Sequence, residues 1–166
     1  MASRKTAYGS SSALTITLAS LASSATFVFG RESTLVDNTS DLYLDYGLAG
    51  KVTTGTSPTN AKEIRIYLVG LMEDSTWPDV FDGTDSDETV TSVGILNSCT
   101  RLAASIITDG TSNRTYPLSV VSVKRAFLGF LPKKFSAFVT HSTAVNLNST
   151  GSNHAIYVTP IYETIA

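Results

Sequence analysis

Two histidines, one cysteine and a run of carboxylates hold most of the reactive chemistry in this 166-residue chain. A serine nucleophile needs a positioned base, and the histidines are His141 and His154. Neither lies beside a Gly-x-Ser-x-Gly elbow. Gly9-Ser10-Ser11-Ser12-Ala13 lacks the second glycine and follows no strand. His141 reads as the end of a strand and His154 as the start of one. Cys99 stands alone, which excludes an internal disulfide and a CxxC metal knuckle, so it reads as a small buried hydrophobe. Seven of the fourteen carboxylates fall between Glu73 and Glu88. Hard cations take such oxygen clusters. Yet Asp82-Gly83-Thr84-Asp85-Ser86-Asp87-Glu88 puts a glycine directly after the first aspartate and does not fit the twelve-residue calcium loop. A carboxylate pair for glycoside hydrolysis is open on the same grounds. The default for such a run is a solvated, self-repelling loop.

Trp77-Pro78 lies inside that acidic stretch. Its ring is either a plug folded over a core or an exposed anchor of the type that dominates interfaces. An exposed Trp could also stack on a sugar, which keeps a lectin-like glycan-binding module, with or without calcium, as an alternative. The cations cluster as well: Lys124, Arg125, Lys133 and Lys134 flank Phe127, Leu128 and Phe130. They read either as a solvated face with snorkelling lysines or as a surface meeting the acidic loop of a neighbouring copy.

The elements that must position these residues are strands. Ala13–Leu18 alternates at period two, Ala25–Phe29 is short and apolar, and Leu42–Val52 puts Leu42, Leu44, Tyr46 and Leu48 on one face. Glu63–Leu71 sets Ile64, Ile66 and Leu68 opposite Arg65, Tyr67 and Val69 before the chain enters the acidic loop. Asn97–Ala104 reads as a short helix or an irregular link. Ala103–Thr108 and Thr115–Val121 are predicted strands, and Asp109-Gly110 between them is a hairpin signal. Ser122–Phe130 reads as a turn of helix or an aromatic-anchored loop. Phe135–His141 and His154–Glu163 complete a set of about eight strands, with Pro160 marking an edge or a bulge. The pattern predicts an all-β, two-sheet antiparallel sandwich, a jelly roll by preference and a Greek-key barrel as the alternative. The expected organisation is a flexible N-terminal arm, Met1–Ser12, and a single sandwich domain over 13–166.

Composition bounds the function. Twenty-two serines and twenty-three threonines supply polarity in place of charge, since only 16% of residues are charged. A net charge of −2 argues against a dedicated nucleic-acid binder. Arg4-Lys5 followed by Leu14–Ala25 imitates a signal peptide, but Thr15, Thr17, Ser20, Ser23 and Ser24 interrupt the apolar run, and Leu14, Ile16 and Leu18 alternate with threonine at strand period. No run of eighteen apolar residues exists, so no membrane-spanning helix is expected. No cofactor-binding motif is recognised, and no cofactor is expected.

Gly30-Arg31-Glu32-Ser33-Thr34, Val36-Asp37-Asn38-Thr39, Leu42-Tyr43-Leu44-Asp45-Tyr46, the segment from Gly50 to Thr59, Asp82-Gly83-Thr84-Asp85 and Asn153-His154-Ala155-Ile156-Tyr157 together resemble small structural proteins from the virions of tailed bacteriophages. The resemblance covers most of the chain, through turns and strands. It implies a jelly-roll cement or decoration protein on the capsid exterior that binds the major capsid protein, stabilises the shell and has no enzymatic activity. A head–tail or tail position is the related alternative. Self-association as a dimer or trimer is expected with it. The residues expected to touch a partner are Arg4, Lys5, Tyr8, Trp77, Phe81, Lys124, Arg125, Lys133 and Lys134.

Overall fold

A computed structural model describes residues 3–165. The strands are β1 (Arg4–Tyr8), β2 (Ser12–Ala13), β3 (Phe29–Glu32), β4 (Val36–Asp37), β5 (Asp45–Thr53), β6 (Glu63–Gly70), β7 (Asp87–Thr89), β8 (Thr100–Ile107), β9 (Thr115–Ser122), β10 (Lys134–His141) and β11 (Ala155–Ile165). Two short helices, α1 (Val93–Cys99) and α2 (Val123–Ala126), interrupt them. One sheet runs β1-β11-β5-β9, with β2 beside β11. The other runs β7-β3-β10-β6-β8, with β4 beside β10. Every pairing is antiparallel.

The pairs β1/β2 and β3/β4 are each one interrupted strand along a common neighbour. Taken so, and with β7 as an added edge, eight strands remain. Their order is first-eighth-third-sixth in one sheet and second-seventh-fourth-fifth in the other. That is the two-Greek-key winding of a jelly roll. Among the described residues the two sheets share no backbone ladder, so the arrangement is a sandwich rather than a closed barrel.

The main core lies between the sheets. Tyr46, Leu48, Val52, Ile156 and Val158 face Ile64, Ile66, Leu68, Phe135, Ala137 and Val139. A second core lies on the far side of the β6 and β10 strands. There Tyr67, Val69 and Phe138 are covered by Phe81, Val90, Leu96 and, half-buried, Trp77 and Cys99. Residues of both parities on β10 are therefore buried. Each large apolar side chain so covered stabilises the fold by about 1.5–3 kcal/mol.

Several expectations change. The acidic stretch is a cover rather than a solvated excursion, because its apolar residues have a sheet face to fill. Arg4–Tyr8 of the expected arm is β1, paired along Ile161–Ile165. Ala13–Leu18 stays in the sheet only at Ala13. Beyond it Thr17 is tied to Asp85, through its N–H at 2.9 Å and its hydroxyl at 2.7 Å, and Leu18 drops into the core. The strand expected from Leu42 begins at Asp45. Asn38 holds Tyr43 in a loop, its amide donating to the Tyr43 carbonyl at 3.0 Å and accepting from the Tyr43 N–H at 2.9 Å. Leu42 sits there at φ 52°.

Asp109-Gly110 does not close a hairpin. It carries the chain from one sheet to the other, since β8 pairs with β6 and β9 with β5. The Tyr116 hydroxyl donates to Asp109 at 2.5 Å and accepts the Asp109 N–H at 3.0 Å, which locks the crossing. Tyr116 is the main reason that the Asp109 carboxyl is held down at about 2. Pro160 lies inside β11, not at an edge. Its carbonyl accepts from Gly9 at 2.9 Å, so its missing N–H faces the break between β1 and β2.

Candidate functional site

One end of the sandwich is built differently from the rest. Three loops meet there: β4 to β5, β6 to β7, and α2 to β10. The last is set from below. Ser122 caps α2, accepting from the Arg125 N–H at 2.9 Å. Asp45 holds that cap in turn, accepting from the Ser122 hydroxyl at 2.6 Å and the Lys124 N–H at 2.7 Å. Val123, Phe127 and Leu131 pack on the main core. The intervening residues are turned outward. Leu128 at φ 59° and Gly129 at φ 95° reverse the chain, and the Gly129 N–H donates to the Lys124 carbonyl at 2.8 Å.

The result is a fixed loop that displays two large apolar side chains. Leu128 is 86% exposed and Phe130 71%. Exposed Leu42 and Met72 stand on the neighbouring loops. Leu42 and Phe130 line a cleft of about 630 Å³ with Leu71, Leu131 and Pro132, and Lys133 and Lys134 stand at its rim. Met72 meets Phe130 in a smaller adjoining hollow. Lys133 reaches Asp74 at 2.6 Å and Lys134 reaches Asp37 at 3.2 Å. Asp74 raises the Lys133 ammonium, and Lys133 lowers the Asp74 carboxyl. Asp37 is held low chiefly by Thr39, with Lys134 secondary. Exposed pairs of this kind contribute little to stability. Lys133 and Asp74 both line the cleft, whereas Lys134–Asp37 is a cross-strand pair of β10 with β4.

The nine residues expected to contact a partner do not form one surface. Arg4, Lys5 and Tyr8 lie on β1 at the edge of the first sheet. Phe81 is 4% exposed and belongs to the second core with Trp77. Of the two readings of Trp77, the plug is the one seen. A side chain at Gly83, whose φ is +76°, would press on the Trp77 ring at 2.8 Å. Lys133 and Lys134 rim the cleft. Arg125 instead borders a groove with Leu102 and Val120 between β8 and β9. Sequence reading missed Leu42, Met72, Leu128 and Phe130 as exposed apolar residues. The available signal was the apolar run Phe127–Leu131 broken by Gly129 and closed by Pro132.

The titratable groups inside the body are occupied. His141 is buried with its Nδ1 against the Thr143 hydroxyl at 2.9 Å and its Nε2 against the Leu21 carbonyl at 3.0 Å. Burial lowers it to about 4. His154 contacts the Thr53 N–H and the Asn148 carbonyl. Glu32, Asp82 and Glu88 converge within 4.8 Å. Glu32 already accepts from the Ser136 hydroxyl at 2.6 Å, the Gly83 N–H at 3.0 Å and the Asp82 N–H at 3.1 Å. That geometry welds the acidic segment to β3 and β10. Arg31 adds a second weld, its Nε donating to Asp85 at 2.6 Å and its Nη1 to Asp87 at 3.1 Å. Burial raises the Asp85 carboxyl, but the Arg31 and Thr17 donors outweigh it and hold it low.

Comparison with known proteins finds no matching family model, no similar curated protein and no similar solved structure. Among the described residues, no helix is long and apolar enough to cross a membrane.

Proposed function

We propose that this chain is a structural virion protein: a cement or decoration subunit that binds the major capsid protein on the outside of a tailed-phage head and stabilises the shell. One observation carries the reading. The apolar end formed by Leu42, Met72, Leu128 and Phe130 is displayed on locked loops. Exposed apolar groups clustered this way mark interaction sites, and an aromatic anchor such as Phe130 supplies much of an interface's energy. The resemblance to small phage virion proteins supports the choice of partner. The jelly-roll fold is compatible with it but hosts other functions. A subunit that binds only the assembled shell stabilises it by mass action, and many copies multiply the effect. The glycan-binding alternative loses its aromatic platform, because Trp77 is packed into the second core.

The test is rebinding to particles stripped of the protein. Phe130→Asp and Leu128→Asp change exposed side chains, so the melting temperature is expected to hold. Binding to particles is expected to weaken at least about tenfold, as loss of an anchor does. Unchanged binding by the double variant would remove this end as the docking surface.

A further inference from the structure

The two sheets differ in how their outer faces are treated. That of the second sheet is covered by the acidic segment and α1. That of the first sheet carries no hydrophobic cluster among the described residues. Register fixes its membership. Ala155, Tyr157, Thr159 and Ile161 of β11 lie opposite Lys51, Ala49, Gly47 and Asp45 of β5. Tyr8 and Ala13 flank β11 on the same side, and Val120 of β9 closes over Gly47. The centre of the face is made of small residues, Gly47, Ala49, Ala155 and Thr159. Around it Tyr157 is 42% exposed, Val120 75% and Tyr8 68%.

We infer that this face is a self-association surface, and that its occupant is the same face of a second copy, packed about a two-fold axis. Two observations support a second copy. The first is charge. Lys51 stands at one end of the face with no ion pair among the described residues. Glu163 stands at the other, held only by exposed Arg4 at 3.3 Å. A two-fold axis through Thr159, between the faces and at right angles to the strands, reverses β11 over β11. Lys51 of each copy then falls beside Glu163 of the other, and Tyr157 falls over Ile161. The second is area, which permits a dimer of modest affinity. Strands of five, eleven, nine and eight residues, at about 3.4 Å per residue and spaced by about 4.8 Å, outline a face of about 540 Å². That is below the roughly 800 Å² per partner of a standard stable interface and in the range of weaker ones. Face-to-face sheets about 10 Å apart are an ordinary sandwich packing.

The inference does not depend on the partner proposed above, because it concerns the isolated chain. The experiment is sedimentation velocity of the full chain from about 1 to about 100 µM, the range in which dimers of modest affinity dissociate. Wild type is expected to sediment as a dimer. Thr159→Asp sets two carboxylates against each other at the axis. It is expected to raise the dimer dissociation constant at least about tenfold while the melting curve is kept. Tyr157→Asp serves if Thr159→Asp fails to fold. Phe130→Asp, outside the strands of this face, is expected to remain dimeric. A wild type that is monomeric throughout overturns the inference. So does a dimer that survives both first-sheet variants or is broken by Phe130→Asp. Loss of particle binding with the dimer intact would instead concern the end loops alone.

Discussion

Glu32 shows how one side chain can hold a whole segment. It is fully buried, and its carboxylate collects the Ser136 hydroxyl and the N–H groups of Asp82 and Gly83. Glu32→Ala leaves those three donors without their acceptor. The expected cost is roughly 3 kcal/mol or more, read as a lower urea midpoint. Burial raises the Glu32 carboxyl, with the three donors opposing, so its contribution is fullest at low pH and is lost as pH rises through its folded value.

His141 acts the other way. Its folded value is about 4 against 6.5 in the unfolded chain, so the unfolded chain binds a proton that the folded protein refuses. Stability is full above about 6.5 and is lost as pH falls toward about 4, by about 3 kcal/mol in all. His154 is lowered by burial too and adds in the same direction. Urea midpoints of wild type and His141→Gln at pH 7 and pH 5 isolate the effect. The wild-type midpoint is expected to drop more. Equal drops would mean that His141 is not protected as described.

At the scale of elements, the segment from Glu73 to Val90 is the test of the second core. Trp77 is the chain's single tryptophan, so its fluorescence reports on this segment alone. Its emission is expected to be blue-shifted from that of free tryptophan and to be only partly quenched by iodide. Phe81→Ala is expected to cost about 3–5 kcal/mol, as large-to-small changes in cores do, and to move the emission to the red. A red-shifted, fully quenched wild type would mean that the segment is a solvated loop after all. Sequence periodicity made β6 legible because Ile64, Ile66 and Leu68 recur at period two over a continuous strand. It could not show that Tyr67 and Val69 were also covered. Their cover comes from Phe81 and Leu96, whose approach depends on the Glu32 and Arg31 contacts across the fold. The sheet crossing at Asp109-Gly110 was hidden for a similar reason. The dipeptide specifies a reversal, while the partner of each flanking strand is set by burial of Tyr116 and Leu118. The apolar end was hardest to read. Leu42 continues the alternation of Leu44 and Tyr46, and only the Asn38 clamp removes it from the strand.

Among the described residues the whole molecule is a jelly roll, and the end around Phe130 and the outer face of the first sheet are left uncovered. The two-layer architecture was legible from alternation, since amphipathic strands have few other ways to bury their apolar sides, whereas β1 and β7 were not read as strands. The uncovered surfaces were not legible, because exposure is decided by which loops fold back. On the proposals made above, one surface would join copies while the other grips a shell, and variants at each are expected to disable one without the other. The most direct measurement is electron cryomicroscopy of intact particles from the source of this chain. The expected map shows the jelly roll on the outside of the head in many regular copies, with the Phe130 end seated on the capsid protein. Particles that lack the chain, or that carry it with the Phe130 end in solvent, would contradict the account.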